Sequence, residues 1–448
     1  MSVEPQVDSA AVTPALRQRL LHESFLAPLL LAVTLFGIHT FDIDLPPMLY
    51  FDEERYVPAA RQILLHGVNE NWVHPNLGKS LMALGIGIFG DHPMAWRLPG
   101  AAFGTLAVMG IYWLALALFK NRRDAMIAAL LTALNQLIFV QSRVATLDIY
   151  ALGLMTPALA LFASAWCAET PRTFRFSREN GLKLLGSGIL FGLGAGAKWI
   201  SLVPLLTCLA LFIFQSRAGL ATRLRIGIPA LLGVAGLVYL VLLVPMLGME
   251  HPGYAPSVAP SPGTTTSPHG LYGLFQLVEL QGRMFANQLN YFNPHPYFSS
   301  WYTWPLQLRP IWYHREIASD HLTQSGIILL GNPAILWPGA AAAVLAFWHA
   351  IRLRNQAAIF LVATYFPLFT FWALIPRSAS LFYYYLPASA LLGPLIVHAA
   401  RELRWPKTVL HAHLALSVAL FVYFYPVLAN VRLASEAFKS RIWFQSWW

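Results

Sequence analysis

The chain has 448 residues, of which 57% are hydrophobic and only 11% charged, and its net charge is +10. Soluble domains carry about a quarter charged residues, so this chain cannot cover itself with polar surface in water and reads as a polytopic membrane protein. The basic excess would suit nucleic acid, but Lys and Arg gather at one end of successive apolar runs, the pattern of short cytoplasmic loops, and that excludes a nucleic-acid arm.

Met1 to about Glu23 is polar and lacks the charged–apolar–cleavage order of a signal peptide, so the first span is expected to be an uncleaved anchor. A spanning helix needs roughly 20 mostly apolar residues. Such runs fall at about 25–41, 98–119, 125–142, 147–168, 184–197, 200–215, 226–247, 326–350, 357–375, 383–400 and 408–428. The expected fold is all-α: a membrane bundle of about eleven helices with the N-terminus inside and the C-terminus outside. Under that count the basic clusters share the inner side: Arg17 and Arg19; Lys120, Arg122 and Arg123; Arg172, Arg175, Arg178 and Lys183; Arg217, Arg223 and Arg225; Arg352 and Arg354; Arg401, Arg404 and Lys407. Both long polar loops then lie outside. The chain divides into an N-terminal membrane region, 1–247, holding a first outer loop at about 42–97; a second outer loop, 248–325; and a C-terminal membrane region, 326–448.

Gly188, Gly192 and Gly196 have the small-xxx-small spacing of close helix contacts. Cys167 and Cys208 both lie in apolar stretches and imply no disulfide framework. The stretch His251 to His269 is rich in Pro, Gly, Ser and Thr, has no apolar period and reads as irregular.

The outer loops carry the chemistry. Asp52, Glu53 and Glu54 follow an apolar approach, and an amphipathic stretch from Val57 to His66 comes after them. A carboxylate desolvated at the membrane boundary can have its pKa raised, which suits a general base; a solvated acidic loop is the plainer alternative. His74 and Lys79 sit on a Pro/Gly-shaped turn ending Gly78-Lys79-Ser80. A nucleotide P-loop is rejected, because it needs glycine where Val73 stands. Arg143, Asp148 and Lys198 interrupt apolar runs at outer helix junctions. Ionisable groups there mark a site, an ion pathway or a buried pair, and a cation near the interface can also snorkel. Together Arg143 and Lys198 would suit a phosphate arriving from within the bilayer. The second outer loop, Asn293 to Tyr313, packs His295, Tyr297, Trp301, Trp304 and Arg309 among prolines. It reads either as an interfacial aromatic belt or as a sugar site with a phosphate-binding cation.

These residues resemble the protein O-mannosyltransferase family, a branch of the membrane-embedded glycosyltransferases of the C superfamily. Asp52-Glu53 resembles that family's Asp-Glu pair. His74-Pro75-Asn76-Leu77-Gly78-Lys79 is similar to its His-Pro-Pro-Leu-Gly-Lys motif, with Asn76 in place of the second proline. His295-Pro296-Tyr297 through Trp304-Pro305 and Leu308-Arg309-Pro310 resembles the aromatic loop of bacterial members, and eleven spans is the family's count. The resemblance implies a hexose, expected to be mannose, carried on a polyprenyl phosphate and transferred with inversion to a protein Ser/Thr hydroxyl on the outer face of the cell membrane. Asp52 would be the base and Glu53 would help position substrate. Arg143, Lys198 and Arg309 would hold the carrier phosphate, and His74, Lys79, Asp148, His295, Tyr297, Trp301 and Trp304 would contact substrate. No obligate metal is expected; His314, Asp320 and His321 are only loosely spaced. Asp52-Glu53-Glu54-Arg55-Tyr56 also resembles the Asp-Glu-x-Arg-Tyr stretch of aminoarabinose transferases that modify lipid A. A transporter or lipid flippase would need an internal two-fold repeat of broken helices, and none is visible. A non-catalytic membrane partner would make the carboxylates and cations incidental.

Overall fold

The structure is a computed structural model, and the residues it describes are 14–168, 177–215, 219, 221, 223–249, 271–289, 295–319, 321–375 and 380–448. It is a helical bundle with a small sheet at one end. The helices are α1 (Pro14–Thr40), α2 (Glu53–His66), α3 (Leu77–Phe89), α4 (Pro93–Phe119), α5 (Arg122–Ala133), α6 (Gln136–Ser142), α7 (Leu147–Trp166), α8 (Arg178–Ala197) and α9 (Leu202–Gln215). They continue as α10 (Arg223–Gly248), α11 (Leu271–Leu289), α12 (Pro333–Arg352), α13 (Gln356–Leu374), α14 (Leu392–Glu402) and α15 (Lys407–Leu428). Among the described residues, six helices are long and apolar enough to cross a membrane: α4, α7, α10, α12, α13 and α15. The α5–α6 pair, bent by 65°, makes a seventh candidate if taken as one span.

That is six or seven candidate spans against the eleven expected; helices occupy the expected runs, with three departures. The run at 125–142 is broken, because the Asn135 side chain accepts the Leu137 N–H and starts a new helix there. The run at 383–400 is segmented into a 3-10 turn, one short helical turn and α14. The run at 326–350 begins as a strand rather than a helix: β1 (Ile311–Ile317) pairs antiparallel with β2 (Thr323–Leu329), which pairs with β3 (Leu433–Ala434). A purely all-α fold is corrected accordingly. Helix α12 starts only at Pro333, after Asn332 has capped the Ala334 N–H at 3.1 Å.

Helix α7 is the centre of the bundle, with 89% of its most apolar window buried, whereas α15 at 11% faces outward with Leu416 and Val422 exposed. Backbone-to-backbone approach sets the packing. A Cβ added at Gly153 of α7 would lie 2.5 Å from the Phe103 carbonyl oxygen of α4. The glycine spacing of α8 acts as expected: a Cβ at Gly192 would lie 2.6 Å from the Ala235 carbonyl oxygen, and Gly188 meets Ala230 in the same way. The ion pair between Arg401 and Asp124 and the Arg123–His411 contact draw the turns at 120–124, 401 and 411 together at one end of the bundle. The loop after α1, the first turn of α7, the break after α8, and the sheet meet at the other end. There α2, α3 and α11 lie, α2 containing the amphipathic stretch from Val57 to His66 that the sequence anticipates.

Candidate active site

Phe51 and Asp52 sit at the tip of the loop between α1 and α2. Phe51 adopts φ +53, a left-handed conformation that costs a non-glycine residue about 1–3 kcal/mol and persists where surrounding structure enforces it. Here the Phe51 ring stacks on Tyr313 of β1 at 4.0 Å and meets Tyr383 edge-on. Asp52 then stands at the N-cap of α2 without using its side chain as a cap. Glu53, one residue on, is turned through about a quarter of a helical turn and points inward. Its two oxygens take Arg97 Nε and Nη2 at 2.8 Å each, and Oε1 also accepts the Ala145 N–H at 3.0 Å. Arg97 and Glu53 are fully buried, and the guanidinium additionally donates to the carbonyls of Ile43, Pro46 and Met48. Adjacent carboxylates thus have opposite surroundings: Glu53 fastens the loop, and Asp52 faces a cavity.

That cavity, about 170 Å³, is lined by Phe51, Asp52, Arg55, Tyr56, Val73, His74, Lys198, Asn287, Gln288, His295, Leu381, Tyr383 and Tyr384. The Asp52 carboxylate makes no hydrogen bond or ion pair among the described residues. Burial pushes its pKa up to about 6, opposed by Lys198 and reinforced by Asp148. Lys198 stands in the extended break after α8, and its Nζ reaches both Asp148 oxygens at 2.8 and 2.7 Å. Asp148, in the first turn of α7, aims the ammonium over the rings of Tyr383 and Tyr384, at 5.2 and 5.7 Å. An ammonium has three donors, so one N–H remains for a further acceptor.

A second cavity of about 120 Å³ adjoins the first, sharing His74, Lys198 and Gln288 with it. Its remaining lining is apolar: Trp199, Ile200, Phe285, Leu289, Phe371, Trp372 and Ile375. Lys198 therefore stands where a polar chamber meets an apolar one. The Gln288 amide also donates to the Val73 carbonyl at 3.1 Å, which ties α11 to the His74 turn.

The sequence-expected residues divide. Asp52, His74, Lys198 and His295 line the cavity, and Asp148 backs it through Lys198. Arg143 does not line it; its guanidinium gathers the carbonyls of Ile38, His39, Phe41 and Asp42 at the end of α1. Arg309 is exposed and donates to the Pro296 carbonyl at 2.6 Å. Lys79 is buried, with burial holding its pKa well below the usual value, and donates to Asn69 Oδ1, His74 O and Asn71 O. It shapes the turn that presents His74. Trp304 is buried, with its indole N–H on Ser299 Oγ at 3.0 Å, and Trp301 packs against Phe369. Tyr297 is partly buried beside the His295 ring. Of His314, Asp320 and His321, Asp320 lies outside the described residues. Sequence reasoning missed Arg55, Tyr56, Asn287, Gln288, Tyr383 and Tyr384; the Tyr383-Tyr384-Tyr385 run at the start of an apolar segment was the available signal.

Comparison with known proteins adds two family matches. Residues 73–248 match the dolichyl-phosphate-mannose-protein mannosyltransferase family, and residues 274–447 match the C-terminal four-helix membrane region of protein O-mannosyltransferases. A polyprenol-phosphate-mannose–protein mannosyltransferase of Mycolicibacterium smegmatis is 27% identical over 89% of this chain and 87% of its own length. An undecaprenyl phosphate-alpha-4-amino-4-deoxy-L-arabinose arabinosyl transferase of Yersinia enterocolitica is 29% identical, over 37% of this chain and 31% of its own. The S. cerevisiae protein O-mannosyltransferase complex bound to the sugar donor shares the fold, with a TM-score of 0.78 at 15% identity over 98% of this chain and 93% of that one. The structure of ArnT from Cupriavidus metallidurans bound to undecaprenyl phosphate gives 0.57 at 18% identity, over 90% of this chain and 63% of that one.

Proposed function

Because the chain belongs to the protein O-mannosyltransferase family and is a polyprenyl-phosphate-sugar-dependent membrane glycosyltransferase, we propose that it moves mannose from a polyprenyl phosphate to a Ser/Thr hydroxyl of a protein. The reaction takes place at the loop-bearing end of the bundle, assigned to the outer face of the membrane. The observation that carries this reading is the unpartnered Asp52 carboxylate lining one cavity with Lys198.

Asp52 takes the proton from the acceptor hydroxyl as that oxygen attacks the anomeric carbon. The bond from that carbon to the carrier phosphate breaks, and the phosphate leaves with the bonding pair. Negative charge grows on the departing oxygen, and the free N–H of Lys198 stabilises it more in the transition state than in the ground state. The apolar chamber beside Lys198 suits the first isoprene units of the carrier. Arg143 and Arg309 are assigned to backbone support instead.

Two measurements test this. Lys198→Gln removes the charge at the chamber junction, and the Km for the lipid-linked donor is expected to rise together with a loss of about 10²–10³ in kcat; unchanged kinetics would remove Lys198 from the site. The pH profile tests Asp52. Its carboxyl is held near 6, and only the ionised form accepts a proton, so kcat/KM rises with pH through about 6 and levels above it. A rate that falls as pH rises from 5 to 7 would contradict a base role.

A further inference from the structure

We infer that the free edge of β1 is the docking strand for the acceptor, an extended polypeptide segment that pairs with it by backbone hydrogen bonds and so delivers its hydroxyl to Asp52. The inference rests on the protein-acceptor reading above and specifies how that acceptor is held.

The sheet order is β1-β2-β3, so β1 is an edge strand. Ala318 donates to the Thr323 carbonyl at 3.0 Å where the hairpin closes. In an antiparallel ladder, bonded and non-bonded pairs alternate. Glu316, opposite Ser325, therefore turns its N–H and C=O toward β2, whereas Arg315 and Ile317 turn theirs outward. Among the described residues no backbone group meets those outward donors and acceptors. The strand is buried at Ile311, Trp312 and Tyr313 and exposed from Arg315 to Ile317.

Edge strands are normally blunted by charged side chains lying across the edge. Here the two charged residues lean the other way. The Arg315 guanidinium reaches Gln324 of β2 at 3.2 Å and lies over the Trp448 ring, and Glu316 pairs with Arg432 at 3.0 Å, just before β3. Both are drawn back over the sheet and leave the edge open. A bare edge cannot lie in hydrocarbon, where its polar groups would find no partner, so it faces water or a polypeptide.

The edge is continuous with the cavity. Tyr313, at its buried end, carries the stacked ring of Phe51, which lines the cavity and immediately precedes Asp52. Tyr313 sits at the bulge between Trp312 and His314; beyond it, at about 3.3 Å per residue, His314 to Ile317 spans roughly 10 Å, the length of a segment of about four residues. Strand addition reads the main chain and asks little of the side chains, which makes an extended conformation beside a Ser or Thr the main requirement.

The test uses the purified full-length enzyme, a mannosylated polyprenyl phosphate and a short Ser-containing peptide, with each peptide N–H in turn replaced by N-methyl. Methylation at alternate positions on one side of the serine is expected to raise the peptide KM about fivefold per lost bond, with the intervening positions tolerant. Ile317→Pro, which deletes only an outward N–H, is expected to raise the peptide KM about fivefold above that of Ile317→Ala. The peptide scan on the unaltered enzyme decides the matter if the proline variant does not fold. Uniform tolerance across the scan overturns strand docking while leaving protein mannosylation intact. Hexose on lipid or glycan hydroxyls, with no peptide modified, overturns the protein-acceptor reading and this inference with it.

Discussion

Asp52→Asn lowers kcat by about 10²–10⁴, the usual contribution of a positioned general base, while the protein accumulates and folds as before. The asymmetry follows from what the carboxylate does in the folded chain. It makes no capping hydrogen bond and no ion pair among the described residues, so the amide that replaces it breaks no structural contact there. An amide cannot accept the hydroxyl proton, however, and the inflection near pH 6 disappears with it. Relief from burying a charge leaves stability equal or slightly higher. The check is single-turnover transfer in membranes supplied with labelled donor, beside a thermal-stability scan of the solubilised protein. A variant that keeps near-normal turnover would remove Asp52 from the mechanism.

Arg97→Met has the opposite signature, a loss of structure first. The Arg97–Glu53 pair is fully buried, and breaking such a pair by removing one partner costs about 3–5 kcal/mol because the other charge stays buried alone. The carbonyls of Ile43, Pro46 and Met48 also lose their donor, which frees the loop that carries Asp52. Expected results are a clear fall in the thermal transition of the solubilised protein and a loss of activity that follows it. Partial recovery of stability is expected in Arg97→Met/Glu53→Leu, where no charge is left unpaired. A single variant as stable as the parent would show that the pair contributes little.

Much of this was legible in the sequence, for reasons that can be named. Long apolar runs mark helices whatever their neighbours, so α4, α7, α10, α12, α13 and α15 fell where hydropathy put them. The sheet was not legible, because the seven residues of β2 continue directly into the apolar run of α12 and periodicity cannot separate a short buried strand from a helix. The correct signal was Asn332-Pro333, a cap followed by proline at the first helical position.

In the site, Asp148 and Lys198 stood out as ionisable groups interrupting apolar runs, Asp52 and His74 through the motifs that carry the family resemblance, and the fold gathers the four. Arg143 and Arg309 stood out equally. A guanidinium at an interface reads the same whether it holds a phosphate or four backbone carbonyls, and only the path of α1 distinguishes them. The opposite directions of Asp52 and Glu53 likewise depend on Arg97, 44 residues away from Glu53 in sequence. Tyr383 and Tyr384 were hidden because tyrosine at the end of a span is ordinary interfacial composition.

The most direct measurement is reconstitution of the purified protein with polyprenyl-phosphate mannose and an extended Ser/Thr peptide, with mass spectrometry of the peptide and of the spent lipid. The predicted result is one hexose on a peptide hydroxyl for each polyprenyl phosphate released, in the parent protein and not in Asp52→Asn. Polyprenyl phosphate released at the same rate in both proteins, or hexose transferred equally by both, would contradict the assignment of Asp52 and Lys198 as the two sides of the reacting centre.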